Sequence, residues 1–258
     1  MSIIHTYDPE RSAVINPETN TLRHERKLDA IIINFSRQIM DALLQDSLLE
    51  VVEEEAIRFV SSAVTMYAFK GTNIGVAQTQ VGAAYTISVM EASAHRFSCG
   101  KFILFGSCGG LDSTQTYGKL IVPTASYRDE GVSYHYVPAA DFIDIPNHIL
   151  VEKVLNRLNI PCAKGKNWTT DAFYRETRRN MELRKAAGCI SVDMELSACQ
   201  AVADFRGYEL YAFFYSADNL DHAEWDEGIL SSIGLDERLT HFHIALEIAK
   251  TVTEANHE

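Results

Sequence analysis

The hydrophobic and polar positions of this chain form short apolar runs that alternate with longer stretches of helical spacing. The apolar run at 30–35 is typical of a strand covered on both faces, and Ser36 can cap a helix predicted over 37–45. The same pattern predicts further strands at 74–79, 101–105, 120–124, 166–169 and 209–215. Further helices are predicted at 82–97, 146–158, 175–187, from the run at 188–198 to about 205, and at 236–253.

These strands and helices alternate along the whole chain, with no linker and no change of composition between them. This order predicts one α/β domain in three layers, with a central mixed, largely parallel, twisted sheet between helices. Residues 1–28 are polar and contain Pro9 and Pro17, so we predict an irregular N-terminal arm, with 29–258 as the domain itself. A chain of 258 residues is long enough for a substantial core.

Composition and charge narrow the classes of function. The chain is 47% hydrophobic and 22% charged, as is usual for a globular protein, and its net charge of -12 argues against a nucleic-acid partner. Its five cysteines lack metal-site spacing, which favours reduced thiols. Neither a signal peptide nor an apolar stretch of membrane-spanning length is recognisable. We therefore expect a cytoplasmic protein with no membrane partner and no metal.

Two carboxylates flank a methionine where a short apolar strand pattern gives way to a helix. Asp193, Met194 and Glu195 follow the apolar part of the run at 188–198. Open α/β sheets bind ligands at such junctions, and a buried carboxylate needs internal donors or a ligand rich in hydroxyl groups. The alternative is that both acids simply occupy the first turn of a helix, where its dipole favours them.

Three other segments carry candidate chemistry. The glycine-rich run 106–110 follows an apolar strand and suits either a phosphate or hydroxyl group, or a plain tight turn. The segment 168–177 offers aromatic faces for a planar heterocycle with Arg and Glu for its polar edges, or else a capped helix start. Asp218 follows a strand and is either a general acid, if desolvation raises its pKa, or a residue that caps a loop.

Five motifs together resemble the purine nucleoside phosphorylase and uridine phosphorylase family. They lie in the family's order at 106–110, 128–136, 169–177, 192–195 and 216–218, and the resemblance spans about 30–250. It implies cleavage of the N-glycosidic bond of a purine or pyrimidine ribonucleoside, with phosphate as co-substrate and with no metal or redox cofactor. It also implies a homo-oligomer, from dimer to hexamer, whose partners are a nucleoside and phosphate.

The resemblance assigns roles to particular residues of this sequence. Glu195 and Asp218 are the implied catalytic residues, because Glu195 binds the ribose hydroxyls and Asp218 protonates or hydrogen-bonds the leaving base. Met194 packs on the sugar, and His5 reaches a neighbouring subunit's ribose. The implied base-binding residues are Phe173, Arg175, Glu176 and Arg179. The implied phosphate-binding residues are Ser107, Gly82 and Arg37.

Several departures from the family pattern keep alternatives open. Leu104 stands where many bacterial members carry a phosphate-binding arginine, and 34–37 replaces a Gly-Asp-Pro-type phosphate loop. A nucleosidase that uses water is therefore an alternative, although no unambiguous extra glutamate is found near the N-terminal strand. A catalytically silent nucleoside-binding protein is another. The base is not decided, since Thr177 and Ala217 each depart from one specificity class, and neither Asp193 nor His135 has an assigned role.

Overall fold

The computed structural model describes residues 2–222, 225–230 and 232–254. Its strands are β1 (Ala30–Asn34), β2 (Leu49–Arg58), β3 (Ala63–Phe69), β4 (Ile74–Gln78), β5 (Lys101–Gly110), β6 (Leu120–Asp129), β7 (Phe142–Asp144), β8 (Cys162–Thr170), β9 (Cys189–Asp193) and β10 (Glu209–Asn219). Its helices are α1 (Pro17–Asn20), α2 (Arg37–Gln45), α3 (Ala83–Arg96), α4 (Ser113–Thr116), α5 (His148–Arg157), α6 (Arg178–Ala186), α7 (Leu196–Arg206) and α8 (Leu235–Glu254). Short 3-10 turns lie at Ile3–His5, Ser133–His135 and Phe173–Arg175.

The described strands form one ten-stranded sheet in the order β10-β6-β8-β9-β5-β1-β4-β3-β2, with β7 on β6. The neighbours β4, β1, β5 and β10 are parallel, as are β6, β8 and β9. Antiparallel pairs join β2 to β3, β3 to β4, β6 to β7, β6 to β10 and β5 to β9. Because β10 also pairs with β5, five strands close into a ring.

Helices cover both faces of this sheet. On β1, Ile31 and Ile33 pack into one apolar cluster with residues of α3 and α7, whereas Ala30 and Ile32 face a second cluster built with α2, α5 and α8. This alternation follows from the two-residue period of a strand, and burial on both faces explains the continuous apolar run of β1. The predicted mixed α/β sheet between helices is confirmed.

Local sequence explains where several helices begin and end. Ser36 caps α2 by accepting the N–H of Ile39, and Thr177 caps α6 by accepting the N–H of Asn180. Helix α7 ends at Arg206, and Gly207, which caps it, has a φ of 76° that glycine adopts without strain. The sequence therefore sets these boundaries with short-range contacts.

The strand predicted at 101–105 is longer in the structure, and a hairpin was not predicted. Strand β5 continues through the glycine-rich run to Gly110, because that run pairs with β10 and β9 instead of forming a tight turn. The hairpin of β2 and β3 covers much of 49–69, where three consecutive glutamates hide the alternation. None of the helices described is both long and apolar enough to cross a membrane.

Candidate active site

A cavity of about 940 Å³ opens at the carboxyl ends of β5, β9 and β10. Of these strands, β5 and β10 are parallel, and α/β proteins bind ligands at the carboxyl ends of parallel strands. The volume suits a small molecule. The structure brings together six residues that the sequence singled out, and all of them line this cavity: Ser107, Phe173, Glu176, Met194, Glu195 and Asp218.

Glu195 lies between the end of β9 and the start of α7, and only 7% of its surface is exposed. Its Oε1 accepts the N–H of Gly82 at 2.6 Å, directly before the first turn of α3. The positive end of that helix favours a carboxylate here. Burial, reinforced by the neighbouring charge of Asp193, nevertheless raises the pKa of Glu195 to about 8.

Asp193 holds the backbone on which Glu195 stands. Its Oδ2 accepts the N–H groups of Glu195 at 2.9 Å and of Leu196 at 2.7 Å, which are otherwise unpaired at the start of α7. Its Oδ1 accepts hydrogen bonds from Asn167 at 2.7 Å and from the hydroxyl of Thr169 at 2.6 Å. Burial raises the pKa of Asp193. Asp193, to which the sequence analysis assigned no role, therefore holds the backbone of Glu195 in place.

A buried polar chain continues this support away from the cavity. Thr169 accepts the N–H of Ser197, and the Ser197 hydroxyl donates to Glu130 at 2.9 Å. Glu130 also accepts the N–H groups of Val132 and Ser133. The motif at 128–136 thus takes part in the site indirectly, by bracing the first turn of α7.

Asp218 lies near the end of β10, directly after an irregularity between Ser216 and Asp218 in the pairing with β5. Such bulges re-aim side chains. Its Oδ2 accepts the indole N–H of Trp225 at 2.8 Å. Burial raises the pKa of Asp218, while the Trp225 bond works in the opposite direction. A carboxyl group that holds its proton more tightly than usual suits a general acid.

Glu176 and Phe173 line the cavity together with Asp218. Burial, with a further contribution from the charge of Asp218, raises the pKa of Glu176 to about 7. Phe173 is half exposed and contacts the ring of Tyr174, with 4.0 Å between ring centroids. This part of the cavity therefore combines aromatic surface with carboxyl groups of raised proton affinity, a chemistry that suits a nitrogen heterocycle.

The implied phosphate-binding residues are only partly together. Ser107 is exposed to the cavity on β5, but the N–H of Gly82 is already donated to Glu195. Arg37 is largely exposed, pairs with Asp41 and does not line the cavity. Leu104 is completely buried in the core.

Four other candidates lie outside the cavity lining. His5 is exposed in a short 3-10 turn that packs near Ser133–His135 of the same chain, and His135 is exposed as well. Arg175 and Arg179 are also exposed and do not line the cavity.

Arg178 and Trp225 are among the lining residues that the sequence did not single out. Arg178 donates to the carbonyl oxygens of Leu220 and His222, and Met181, three residues further along α6, lines the same cavity. Residues three apart on a helix lie on the same face, so the position of Met181 is a sequence signal that Arg178, and not Arg179, lies on the face of α6 that lines the cavity. Trp225 follows Asp218 in a segment without periodicity, so no sequence signal pointed to it.

Gly109 is expected to tolerate no larger residue. A Cβ there would lie 2.7 Å from Leu220 and 2.9 Å from Val192, and 3.4 Å from Oδ1 of Asp218. We expect Gly109→Ala to destabilise the protein by about 1–3 kcal/mol in urea unfolding and to lower activity by displacing Asp218. Gly234→Ala is the matched control, since an added Cβ there meets nothing within 4 Å. Equal stability of the two variants would contradict this reasoning.

Comparisons with known proteins agree with this architecture. The profile of the Phosphorylase superfamily matches residues 29–252. The DeoD-type purine nucleoside phosphorylase of Myxococcus xanthus is 24% identical over 208 residues, which cover 78% of this chain and 84% of that protein. The DeoD-type enzyme of Bacillus velezensis is 26% identical over 194 residues, covering 71% of this chain and 79% of that protein.

Solved structures of two kinds share the fold. The purine nucleoside phosphorylase of Toxoplasma gondii superposes with a TM-score of 0.71 at 16% identity, covering 95% of this chain and 98% of that one. The AMP nucleosidase of Bacteroides thetaiotaomicron superposes with a TM-score of 0.68 at 14% identity, covering 90% and 91%. With the superfamily profile matched across nearly the whole sheet and both helical layers, the chain belongs to the phosphorylase superfamily.

Proposed function

We propose that this protein cleaves the N-glycosidic bond of a purine nucleoside with phosphate, releasing the free base and ribose 1-phosphate. The observation that carries the proposal is the presence of Glu195 and Asp218 in one cavity. The carboxyl group of Glu195 is suited to a sugar, and that of Asp218 to a leaving base. The reaction needs both, because positive charge develops on the sugar while negative charge develops on the base.

At the sugar, Glu195 accepts hydrogen bonds from the ribose hydroxyls, and Met194 packs against the ring. Its carboxylate form stabilises the positive charge that grows on the sugar as the bond to the base breaks. The Asp193 network supports this role, because it holds the backbone N–H groups of Glu195 and Leu196 in place. A preorganised acceptor loses little energy in reorganisation during the reaction.

At the base, Asp218 donates a proton or a hydrogen bond to the ring as it leaves. Its raised pKa supports this role, since the protonated form persists to higher pH than in an ordinary aspartate. Phe173 provides apolar surface for the base, and Glu176 a polar edge. The purine specificity of the relatives in Myxococcus and Bacillus supports a purine here as well.

For the nucleophile, the side chain of Ser107 lines the cavity and is exposed, so its hydroxyl is the candidate contact for phosphate. Four carboxyl groups line the same space and would repel phosphate if all were ionised: Glu176, Asp193, Glu195 and Asp218. Burial raises the pKa of Glu176 to about 7. Partial protonation of Glu176 near neutral pH therefore reduces the repulsion that an incoming phosphate meets.

A nucleosidase is the second candidate, and one observation favours it. Among the described residues that line the cavity, Arg178 is the sole lysine or arginine, and it already donates to two backbone carbonyls. Water, unlike phosphate, needs no cationic partner. The two reactions share the sugar and base chemistry and differ only in the nucleophile.

A nucleoside panel with and without phosphate tests the proposal. Inosine, guanosine, adenosine and uridine are incubated with the protein, and both the base and the sugar product are quantified. We expect base release from a purine nucleoside to require phosphate and to yield ribose 1-phosphate. Release of free ribose at the same rate without phosphate would establish the nucleosidase instead, and tight binding without turnover would indicate a nucleoside-binding protein.

Asp218→Asn is expected to slow the cleavage of a natural purine nucleoside by about a hundredfold, because amide nitrogen cannot supply the proton. A substrate whose base leaves as a stable anion, such as a nitrophenyl riboside, should lose less than tenfold. Comparison of kcat/KM for the two substrates measures the difference. Equal losses would contradict a general-acid role for Asp218.

A further inference from the structure

Trp225 is the described residue whose side chain donates a hydrogen bond to Asp218. Its indole N–H lies 2.8 Å from Oδ2, and its side chain lines the same cavity as Phe173. Yet 61% of Trp225 is exposed, which is unusual for so large an apolar side chain. Exposure at the rim of a cavity, together with a bond to a candidate acid, suggests a function in ligand contact.

We propose that Trp225 is a positioning residue for Asp218 and, through its ring, a direct aromatic contact for the heterocyclic base in this cavity. This inference rests on the proposed function, because it takes Asp218 as the acid that assists the leaving base. It assigns two separable tasks to one side chain. The N–H acts on the carboxyl group, and the ring face acts on the ligand.

The donor-only chemistry of indole explains the first task. An indole N–H can donate but cannot accept, so the oxygen it binds must remain an acceptor. The carbonyl oxygen of a protonated carboxyl group is a better acceptor than its hydroxyl oxygen, so this bond favours the form of Asp218 in which Oδ2 accepts and Oδ1 carries the proton. Trp225 thus favours one oxygen as the proton donor to the base, and it restrains the rotation of the carboxyl group.

Ring stacking explains the second task. Bases stack on aromatic side chains with little regard to their substituents, because every base has a π-face. The cavity has aromatic surface from Phe173 and Tyr174, among other rings, and Trp225 adds a larger ring from the segment that follows β10. These rings can stack on a planar base but not on a sugar or a phosphate.

Other charged groups near Asp218 bear on its titration. The charges of Glu176 and Asp218 interact, Asp226 acts on Asp218 from the segment that follows β10, and Arg178 and Glu195 line the same cavity. Substitution of Trp225 changes none of these charges. A shift in the titration of Asp218 after that substitution therefore reports the lost N–H.

Intrinsic fluorescence tests the ring contact without any turnover. The chain contains two tryptophans, and Trp168 is only 1% exposed and bonded to Asp129, whereas Trp225 is exposed. Titration of the wild-type protein with hypoxanthine and with adenine should quench the exposed fluorescence, and Trp225→Phe should abolish that response. Quenching that persists in Trp225→Phe, or no quenching in the wild-type protein, would overturn the ring contact.

Kinetics of two variants separate the N–H from the ring. Trp225→Phe keeps a ring, so the inhibition constant of the free base should stay within about threefold, while kcat falls by roughly tenfold. The basic limb of its pH profile should move to higher pH, since loss of a donor to the carboxylate raises the proton affinity of Asp218. Trp225→Ala should in addition weaken base binding by about tenfold.

Leu230→Ala is the matched control, because Leu230 lies in the same segment and lines the same cavity without a polar group. Its pH limb should coincide with that of the wild-type protein. An unshifted limb in Trp225→Phe, or an equal shift in Leu230→Ala, would overturn the positioning role. These results are distinct from a failure of the proposed function, in which the wild-type protein itself would release no base from any nucleoside.

Discussion

Replacement of Glu195 by alanine is expected to reduce base release by about a thousandfold or more while the fold is kept. The carboxylate is the group best suited to the ribose hydroxyls, and loss of a preorganised electrostatic partner costs this order of rate. Steady-state kinetics on the preferred nucleoside measures the loss. Because the effect acts on the transition state, kcat should fall far more than KM rises.

Glu195→Gln is the matched control for this experiment. Glutamine keeps an oxygen that can accept the N–H of Gly82, but it removes the charge, so we expect a loss of about a hundredfold. Near-ultraviolet circular dichroism should match the wild-type spectrum in both variants. Full activity in Glu195→Ala would mean that the sugar binds elsewhere in the cavity.

A further prediction compares the stability of Glu195→Gln with that of the wild-type protein as the pH changes. The pKa of Glu195 rises from an ordinary 4.5 to about 8 in the folded state. Its contribution to stability is therefore fully present below about pH 4.5 and is lost as the pH rises towards 8. We expect the free energy of unfolding of Glu195→Gln to gain about 4 kcal/mol on the wild-type protein between pH 5 and pH 8.5. Urea unfolding at both pH values measures this gain, and parallel curves would contradict it.

Asp193→Ala is expected to give the largest loss of stability, about 3 kcal/mol in the free energy of unfolding. The substitution leaves two buried N–H groups at the start of α7 without their acceptor. It also removes the oxygen to which the side chains of Asn167 and Thr169 donate. For a chain of this size, the melting temperature should fall by roughly 6–12 °C. Differential scanning calorimetry measures the change.

Asp193→Asn separates the shape of this side chain from its acceptor capacity. Asparagine has nearly the same volume, but its NH₂ group must face either the amides of α7 or the donors on Asn167 and Thr169. We therefore expect a loss of stability close to that of Asp193→Ala. Wild-type stability in Asp193→Asn would show that the network tolerates a donor and that packing alone matters.

Much of the fold was predictable because its causes are local. The apolar run in β1 is uninterrupted. The caps of α2 and α6 each accept an N–H that lies three residues further along the chain. The hairpin of β2 and β3 was not predicted, since consecutive glutamates obscure the two-residue period. The continuation of β5 through its glycines depends on pairing with β10, more than a hundred residues away.

The candidate site was predicted less completely, and unevenly. Motifs identified Glu195, Asp218, Phe173 and Ser107, which the structure brings into one cavity. The same motifs pointed to Arg175 and Arg179, which do not line the cavity, and missed Arg178, which does. Arg178 and Arg179 are neighbours on α6, so which of them lines the cavity depends on the rotation of that helix, and packing sets that rotation.

The sequence by itself determined the alternation of strands and helices, the resemblance to a family and the identity of the main carboxyl groups. Only the tertiary structure decided the hydrogen-bond partners, the burial and the pKa values of those carboxyl groups. Glu195 meets the N–H of Gly82 across 113 residues, and the proton affinity of each acid depends on its burial and on its distance from the others. The bond from Trp225 to Asp218 bridges a segment without periodicity, so it is visible only when the chain is folded.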